Sequence, residues 1–451
     1  MKRAALSLIV FFCAAAHAQQ EIRLWHAMSG SLGNALETLV TRFNDSQREA
    51  RVVLEHKGSY EDTLIGALKA QRAGEGPTLV QVYEVGTANM MASKSAYRPL
   101  WQLAAEQHVA IDAKLFLPAV ASYFADASGR LLALPFNIST PILFYNKDAF
   151  RLAKLDPDKP PATWYEMPKA MGALADAGYQ CVYTTTWPSW IQIENMSVWH
   201  AQDFATKDNG MDGPEARLVF NTHLMVRHVS MLSSWARSGY FTYSGRRIEG
   251  EKLFAEGRCA MLTAASSSSA DLRRLAGFDF GVARLPYYDD IRGAPHHSLI
   301  GGAGLWALAG RKPAEYRAAA RFLAWLTRPE IQAEWHQKTG YVPVTQAAYE
   351  LTRKQGYYDV HPGQKFALEQ LLLHAPTRES RGIRLGDFEQ VRAILEEELE
   401  GAWNGSVPPK VALDRAAERG NELLRKFERA HHGGAEPPMP KRAPRGKSGK
   451  K

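Results

Sequence analysis

The chain has 451 residues, with 55 Lys and Arg against 47 Asp and Glu and a formal net charge of +8. Hydrophobic residues make up 45% and charged residues 23%, a globular balance that excludes a wholly disordered chain. This length calls for two domains or lobes. The basic excess invites a nucleic-acid reading, but its location excludes a global basic footprint. Residues 1–18 hold a net +2 and residues 431–451 a net +5; taking both from +8 leaves +1 for everything between.

The first element reads as a targeting signal. Met1-Lys2-Arg3 is a positive start, Ala4 to Ala16 an apolar run, and Ala16-His17-Ala18 a small-x-small cleavage site. The run is too short to span a membrane as a helix. Cys13 raises lipidation, but bulky Phe11 and Phe12 precede it where small residues are wanted. The expectation is a cleaved signal peptide over 1–18 and export to a bacterial periplasm. No later apolar stretch approaches spanning length.

Strand and helix patterns alternate from there. Glu21–Ala27 reads as a strand, and Leu32, Leu36, Leu39, Val40 and Phe43 fall at helical spacing. Arg51–Lys57 reads as a second strand. Ser59 with Asp62 three residues on resembles a capping box opening a helix through Leu64, Ile65 and Leu68. Thr78–Tyr83 reads as a third strand. This alternation predicts βαβ units and a mostly parallel sheet. Leu131–Asn146 and Leu299–Leu308 are longer extended segments, each suited to leaving one lobe and entering the other. Ligand clefts favour such interfaces. Near the end, Val391, Ile394, Leu395 and Leu399 share a helix face, and after Ala430 the Gly, Pro, Lys and Arg content predicts a disordered tail.

Cys181 and Cys259 remain after signal removal. Two buried thiols are the expectation, with one disulfide as the alternative in an oxidising compartment. Catalytic signatures are missing. There is no HExxH and no GxSxG, Arg445-Gly446-Lys447-Ser448 lacks the first glycine of a phosphate loop, and the pairs His296-His297 and His431-His432 lack partners at metal spacing. The chain is expected to be no enzyme and to use no metal and no cofactor. What stands out are turns. Trp187-Pro188-Ser189-Trp190 places two indoles on one loop, as partial core or as an apolar wall for a small polyol. Ser266–Ser269 lies between strand and helix patterns, as a simple cap or as a set of donors for an anion. Gly301-Gly302 is a tight crossing or a close backbone approach to a ligand.

Phe144-Tyr145-Asn146-Lys147-Asp148-Ala149-Phe150, Leu155-Asp156-Pro157 and Pro161-Ala162-Thr163-Trp164 resemble a signature of the bacterial extracellular solute-binding proteins of the maltose-binding type. Within that superfamily the chain is similar to the glycerol-3-phosphate receptors of ABC importers. The words that carry this include Trp25-His26, Lys57-Gly58, Gln81-Val82-Tyr83-Glu84-Val85-Gly86-Thr87-Ala88, Pro135-Phe136-Asn137, Ile300-Gly301-Gly302-Ala303 and Glu334-Trp335-His336-Gln337-Lys338-Thr339-Gly340-Tyr341. The similarity runs from about residue 21 to about 428.

The resemblance implies an α/β, two-lobed periplasmic binding protein fold of type II, maltose-binding-protein-like, with a hinge between lobes and the ligand in the cleft. Lobe one would hold 19–140 plus 302–345, and lobe two 141–301 plus 346–430, ahead of a basic tail over 431–451. It implies sn-glycerol-3-phosphate and glycerophosphodiesters such as glycerophosphocholine as ligands, inner-membrane ABC permease subunits as partners, a monomer, and no nucleic acid. Carried over by residue, Tyr60 and Glu84 would hold the glycerol hydroxyls, and Trp187 and Trp190 would form the aromatic wall. Ser139, Gly302, Tyr341 and Arg392 would contact phosphate, Arg392 through its planar fork. A family serine falls on Ala265, so one hydroxyl donor is either missing or supplied by Ser266 beside it, and a diester, needing fewer donors, gains ground. An oligosaccharide receptor of the same fold is the alternative; it has less use for Arg392 and the serine turn. A diester hydrolase is a third reading, but it lacks an acid–base pair or metal cluster.

Overall fold

A computed structural model describes residues 19–375, 377 and 381–432. The expected signal peptide lies outside the described residues, and so does the expected tail from 433 on. His431 and His432, assigned to that tail, instead finish a helix, Pro409–His432.

The first three strands are β1 (Gln20–His26), β2 (Ala50–His56) and β3 (Leu79–Tyr83). β1 pairs in parallel with both β2 and β3. Alternate residues Ile22, Leu24 and His26 of β1 are buried, as a half-covered strand requires. The helix Gly30–Asp45 between β1 and β2 buries Leu36, Leu39, Val40 and Phe43, one stripe at helical spacing. The next helix, Tyr60–Arg72, opens with a reciprocal capping box. The Asp62 N–H donates to Ser59 Oγ at 3.0 Å, and the Ser59 N–H donates to the Asp62 carboxylate at 3.3 Å. That cap fixes where the helix starts, and hence where Tyr60 stands.

The remaining strands are β4 (Tyr97–Arg98), β5 (Leu134–Ser139), β6 (Pro141–Asn146), β7 (Cys181–Thr185), β8 (Phe241–Thr242), β9 (Cys259–Ala265), β10 (Phe280–Ala283) and β11 (Gly301–Leu308). They form two sheets. One has the order β2-β1-β3-β11-β4, with β5 also on β11; the other has the order β10-β6-β9-β7-β8. The extended segment 131–146 crosses between them: β5 ends in one sheet at Ser139, β6 begins in the other at Pro141, and Thr140 alone intervenes. Every residue of both strands is buried.

Three expectations are corrected. The sheets are mixed rather than mostly parallel, because the crossing strands enter against the grain: β11 is antiparallel to β3 and β5, and β6 to β9 and β10. The segment 299–308 is a strand only from Gly301, inside one sheet; Ser298 before it donates to the Gln370 carbonyl outside any strand. Cys181 and Cys259 are not two free thiols but a disulfide. They are register partners on parallel β7 and β9, with Cα atoms 4.5 Å apart, a separation that a disulfide spans. Among the described residues, no helix is long and apolar enough to cross a membrane.

Candidate ligand-binding site

A cavity of about 330 Å³ opens where the ends of the two sheets face each other. This lies at the lower end of the ~300–1,000 Å³ typical of small-molecule pockets. Tyr60, Glu84, Ser139, Trp187, Trp190, Gly302, Tyr341 and Arg392 all line it. Ser266 does not. It is fully buried, its N–H donates to the Thr140 carbonyl at 2.9 Å, and its own carbonyl accepts the Ser269 hydroxyl. The turn it anchors presents Ser267 and Ser268 to the cavity instead, beside Ala265.

Each residue is delivered by a local device. Glu84 begins the 3-10 turn that ends β3. Tyr60 begins the capped helix, and its ring stacks on Tyr83 with centroids 5.2 Å apart and planes 3° apart. The Tyr60 hydroxyl accepts from the Asn137 amide at 3.0 Å. Trp187 sits at φ 43°, a backbone region that non-glycine residues seldom occupy. It is held there by its N–H on the Arg247 carbonyl and its carbonyl on the Ile191 N–H. Such strain is retained where surrounding contacts over-determine it. The Arg247 guanidinium lies 5.1 Å from the Trp187 ring centroid. Trp190 starts a π-helical turn, Trp190–Asn195, and packs where Gly301 leaves room: a Cβ on Gly301 would stand 2.6 Å from the indole. Gly302 has φ 103°, and a Cβ there would stand 1.9 Å from the Asn137 carbonyl oxygen, so the position accepts glycine alone. Tyr341 follows Gly340, the left-handed cap of the helix Pro329–Thr339. A Cβ on Gly340 would stand 2.7 Å from the Ser266 carbonyl oxygen, so these two turns touch without intervening side chains.

The electrostatics differ from a bare arginine facing a phosphate. Arg392, on the helix Phe388–Trp403, donates from Nε and Nη2 to the two Glu194 oxygens, both at 2.7 Å. Its Nη2 also lies 3.0 Å from Glu84 Oε1. Glu84 Oε2 accepts the Gly302 N–H at 3.2 Å. Burial alone would lower the Arg392 pKa, but Glu194 and Glu84 hold it well above the usual range. Burial pushes the Glu84 carboxyl up, opposed by Arg392. Across the cavity, burial pushes Glu251 up to about 7, against a 2.7 Å bond from the Ser268 hydroxyl.

Tyr83, Glu251 and Asp271 also line the cavity and were not expected there, while Ser267 and Ser268 belong to the expected serine run, in which Ser266 alone was singled out. Glu194, behind the lining, was not expected either. Tyr83 and Ser267 adjoin expected residues and so were within reach. Glu194 lies four residues beyond Trp190, on the π-helical turn.

The model of the bacterial extracellular solute-binding protein family matches residues 38–357. The chain belongs to that family. This solute-binding protein is 46% identical to the sn-glycerol-3-phosphate-binding periplasmic protein UgpB of Yersinia pseudotuberculosis over 427 residues, 94% of this chain and 97% of the relative. It is 47% identical to the protein of the same name from Salmonella typhimurium over 426 residues, with the same coverage. Among solved structures, UgpB from Mycobacterium tuberculosis in complex with glycerophosphocholine aligns with a TM-score of 0.75 at 22% identity, covering 90% of this chain and 99% of that one. The cyclic alpha-maltosyl-1,6-maltose binding protein of Arthrobacter globiformis aligns at 0.72 and 22%, covering 90% and 100%. These two likenesses show that the solute-binding protein shares the fold of those two proteins.

Proposed function

We propose that the protein is the periplasmic binding component of an ABC importer for sn-glycerol-3-phosphate and glycerophosphodiesters such as glycerophosphocholine. The observation that carries this reading is the convergence of Tyr60, Glu84, both tryptophans, Tyr341 and Arg392 on one small cavity, in a chain 46% identical to glycerol-3-phosphate receptors. Glu84 accepts from glycerol hydroxyls, the indoles cover the C–H face, and Ser139, Ser267 and Tyr341 supply neutral donors to phosphate. The cavity is small for an oligosaccharide.

The lobes are 19–140 plus 302–345 and 141–301 plus 346–430, and they close on the ligand about the crossings. Closure draws on contacts that exist only in the closed state. The closed protein then presents both rims to inner-membrane permease subunits as an exported monomer without catalytic activity.

Calorimetric titration and tryptophan fluorescence with sn-glycerol-3-phosphate, glycerophosphocholine and maltose test the reading. Saturable binding of either phosphate ester, and none of maltose, is expected. Maltose binding without phosphate-ester binding overturns it.

A further inference from the structure

Among the described residues lining the cavity, Arg392 is the one Lys or Arg, against the carboxyls of Glu84, Glu251 and Asp271. That cation is already shared. Glu194 takes two 2.7 Å bonds from it, and Glu84 lies 3.0 Å from the same Nη2. Glu194 is 1% exposed and does not line the cavity, so its charge reaches a ligand only through Arg392 and across the short distance behind it.

We propose that Glu194 is a specificity-determining residue: its buried carboxylate neutralises Arg392 from behind and biases the cavity towards singly charged phosphate diesters over doubly charged monoesters. This rests on the reading that the cavity binds phosphate esters of glycerol. A phosphate monoester carries about −1.5 to −2 near neutral pH, with a second pKa of about 6. A diester carries a single negative charge. One guanidinium between two carboxylates leaves a local charge of −1 when all are ionised. In a buried site that excess repels each further ligand charge far more than it would in water. With Glu194 neutral, the group balances and the penalty on the second phosphate charge falls.

The other charged groups around the pair are Glu389, on the same helix as Arg392, and Arg247, which ion-pairs with both Glu389 and Glu396. Glu251 and Asp271 face the cavity from the serine-turn side. Tyr60, Tyr83 and Tyr123 also surround the cluster and stay neutral, burial holding each phenol well above its ordinary range. Titration of Glu84, Glu251 or Glu396 weighs more on the monoester's second charge as well, but it does so in wild type and in the Glu194 variants alike. Comparing the monoester-to-diester ratio between proteins at one pH therefore isolates Glu194.

The experiment is calorimetric titration of the mature protein with sn-glycerol-3-phosphate and with glycerophosphocholine, at pH 5.0 and 7.5. It compares wild type with Glu194→Gln and Glu194→Asp. In the wild type, monoester affinity relative to diester should fall from pH 5.0 to 7.5. Glu194→Gln should move that ratio towards the monoester by on the order of tenfold at pH 7.5. Glu194→Asp keeps the charge and should keep the wild-type ratio. An unchanged ratio in Glu194→Gln overturns the inference, and so does an equal movement in Glu194→Asp. If Glu194→Gln does not fold, the wild type decides: monoester affinity that strengthens relative to the diester between the two pH values overturns it. Binding of both esters with an insensitive ratio removes this inference alone; binding of neither removes the parent reading as well.

Discussion

The backbone N–H of Gly302 donates to Glu84 Oε2 at 3.2 Å, tying the start of β11 to the turn that ends β3. Gly302→Ala is expected to break this link. Its φ of 103° and a Cβ placed 1.9 Å from the Asn137 carbonyl leave an added methyl no room. A loss of at least about 2 kcal/mol of stability should follow, read by urea unfolding, together with weakened ester binding. Wild-type stability in the variant counts against this account of the crossing.

Trp187 is partly exposed while Trp190 is 4% exposed, so the two indoles separate binding from folding. Trp187→Ala should weaken ligand binding with a small effect on melting. Trp190→Ala should cost about 3–5 kcal/mol of stability as well. Thermal melts alongside titrations check both. Equal melting losses in the two variants contradict the assignment of Trp187 to the wall.

Arg392→Ala removes the partner of two buried carboxylates at once. Removing one member of a buried ion pair costs about 3–5 kcal/mol, because the charge left behind has no compensation. Both unfolding free energy and affinity should fall. Combining Arg392→Ala with Glu194→Gln should recover part of the stability and none of the affinity, a pattern that a double-mutant cycle reads directly.

The Cys181–Cys259 disulfide closes a loop with a sequence separation of 78. Replacing both cysteines by serine should cost about 2–5 kcal/mol. Ester binding at low temperature should persist, since neither cysteine lines the cavity. Unfolding curves with and without a reductant provide the check.

Glu396 is 1% exposed, and burial pushes its carboxyl up to about 7, with Arg247 opposing. Its folded-state pKa is above the ordinary 4.5 of a glutamate, so the native state binds the extra proton between about pH 4.5 and 7. Glu396 should therefore lower stability progressively as pH rises through that window. Glu396→Gln should flatten that part of the stability profile. An unaltered slope refutes the assignment to Glu396.

The local parts of the fold were legible in the residues. The period of β1, the Ser59–Asp62 box and the crossing at 131–146 each depend on neighbours a few positions apart. Most cavity residues became legible through the resemblance, since isolated tyrosines or arginines say little by themselves. What stayed hidden was long-range. The register of β7 on β9 brings Cys181 to Cys259, and Arg392 meets Glu194 across 198 positions of chain. No local pattern encodes which of several buried carboxylates an arginine will choose. The serine run was read correctly as a turn, but its phase was off by one: which hydroxyls face outward depends on where β9 stops.

Gly340 rests on the Ser266 carbonyl with nothing but hydrogen between them. That contact fixes a clearance. Tyr341, next along the chain, and Ser267, next after Ser266, sit on opposite sides of the same touching point and both face the cavity. The width of the chamber at that corner is therefore set by backbone thickness, with the Ser269 Cβ as the next nearest atom. A single methyl at Gly340 would act as a shim, holding the two donors apart and shortening the reach of each towards the same guest.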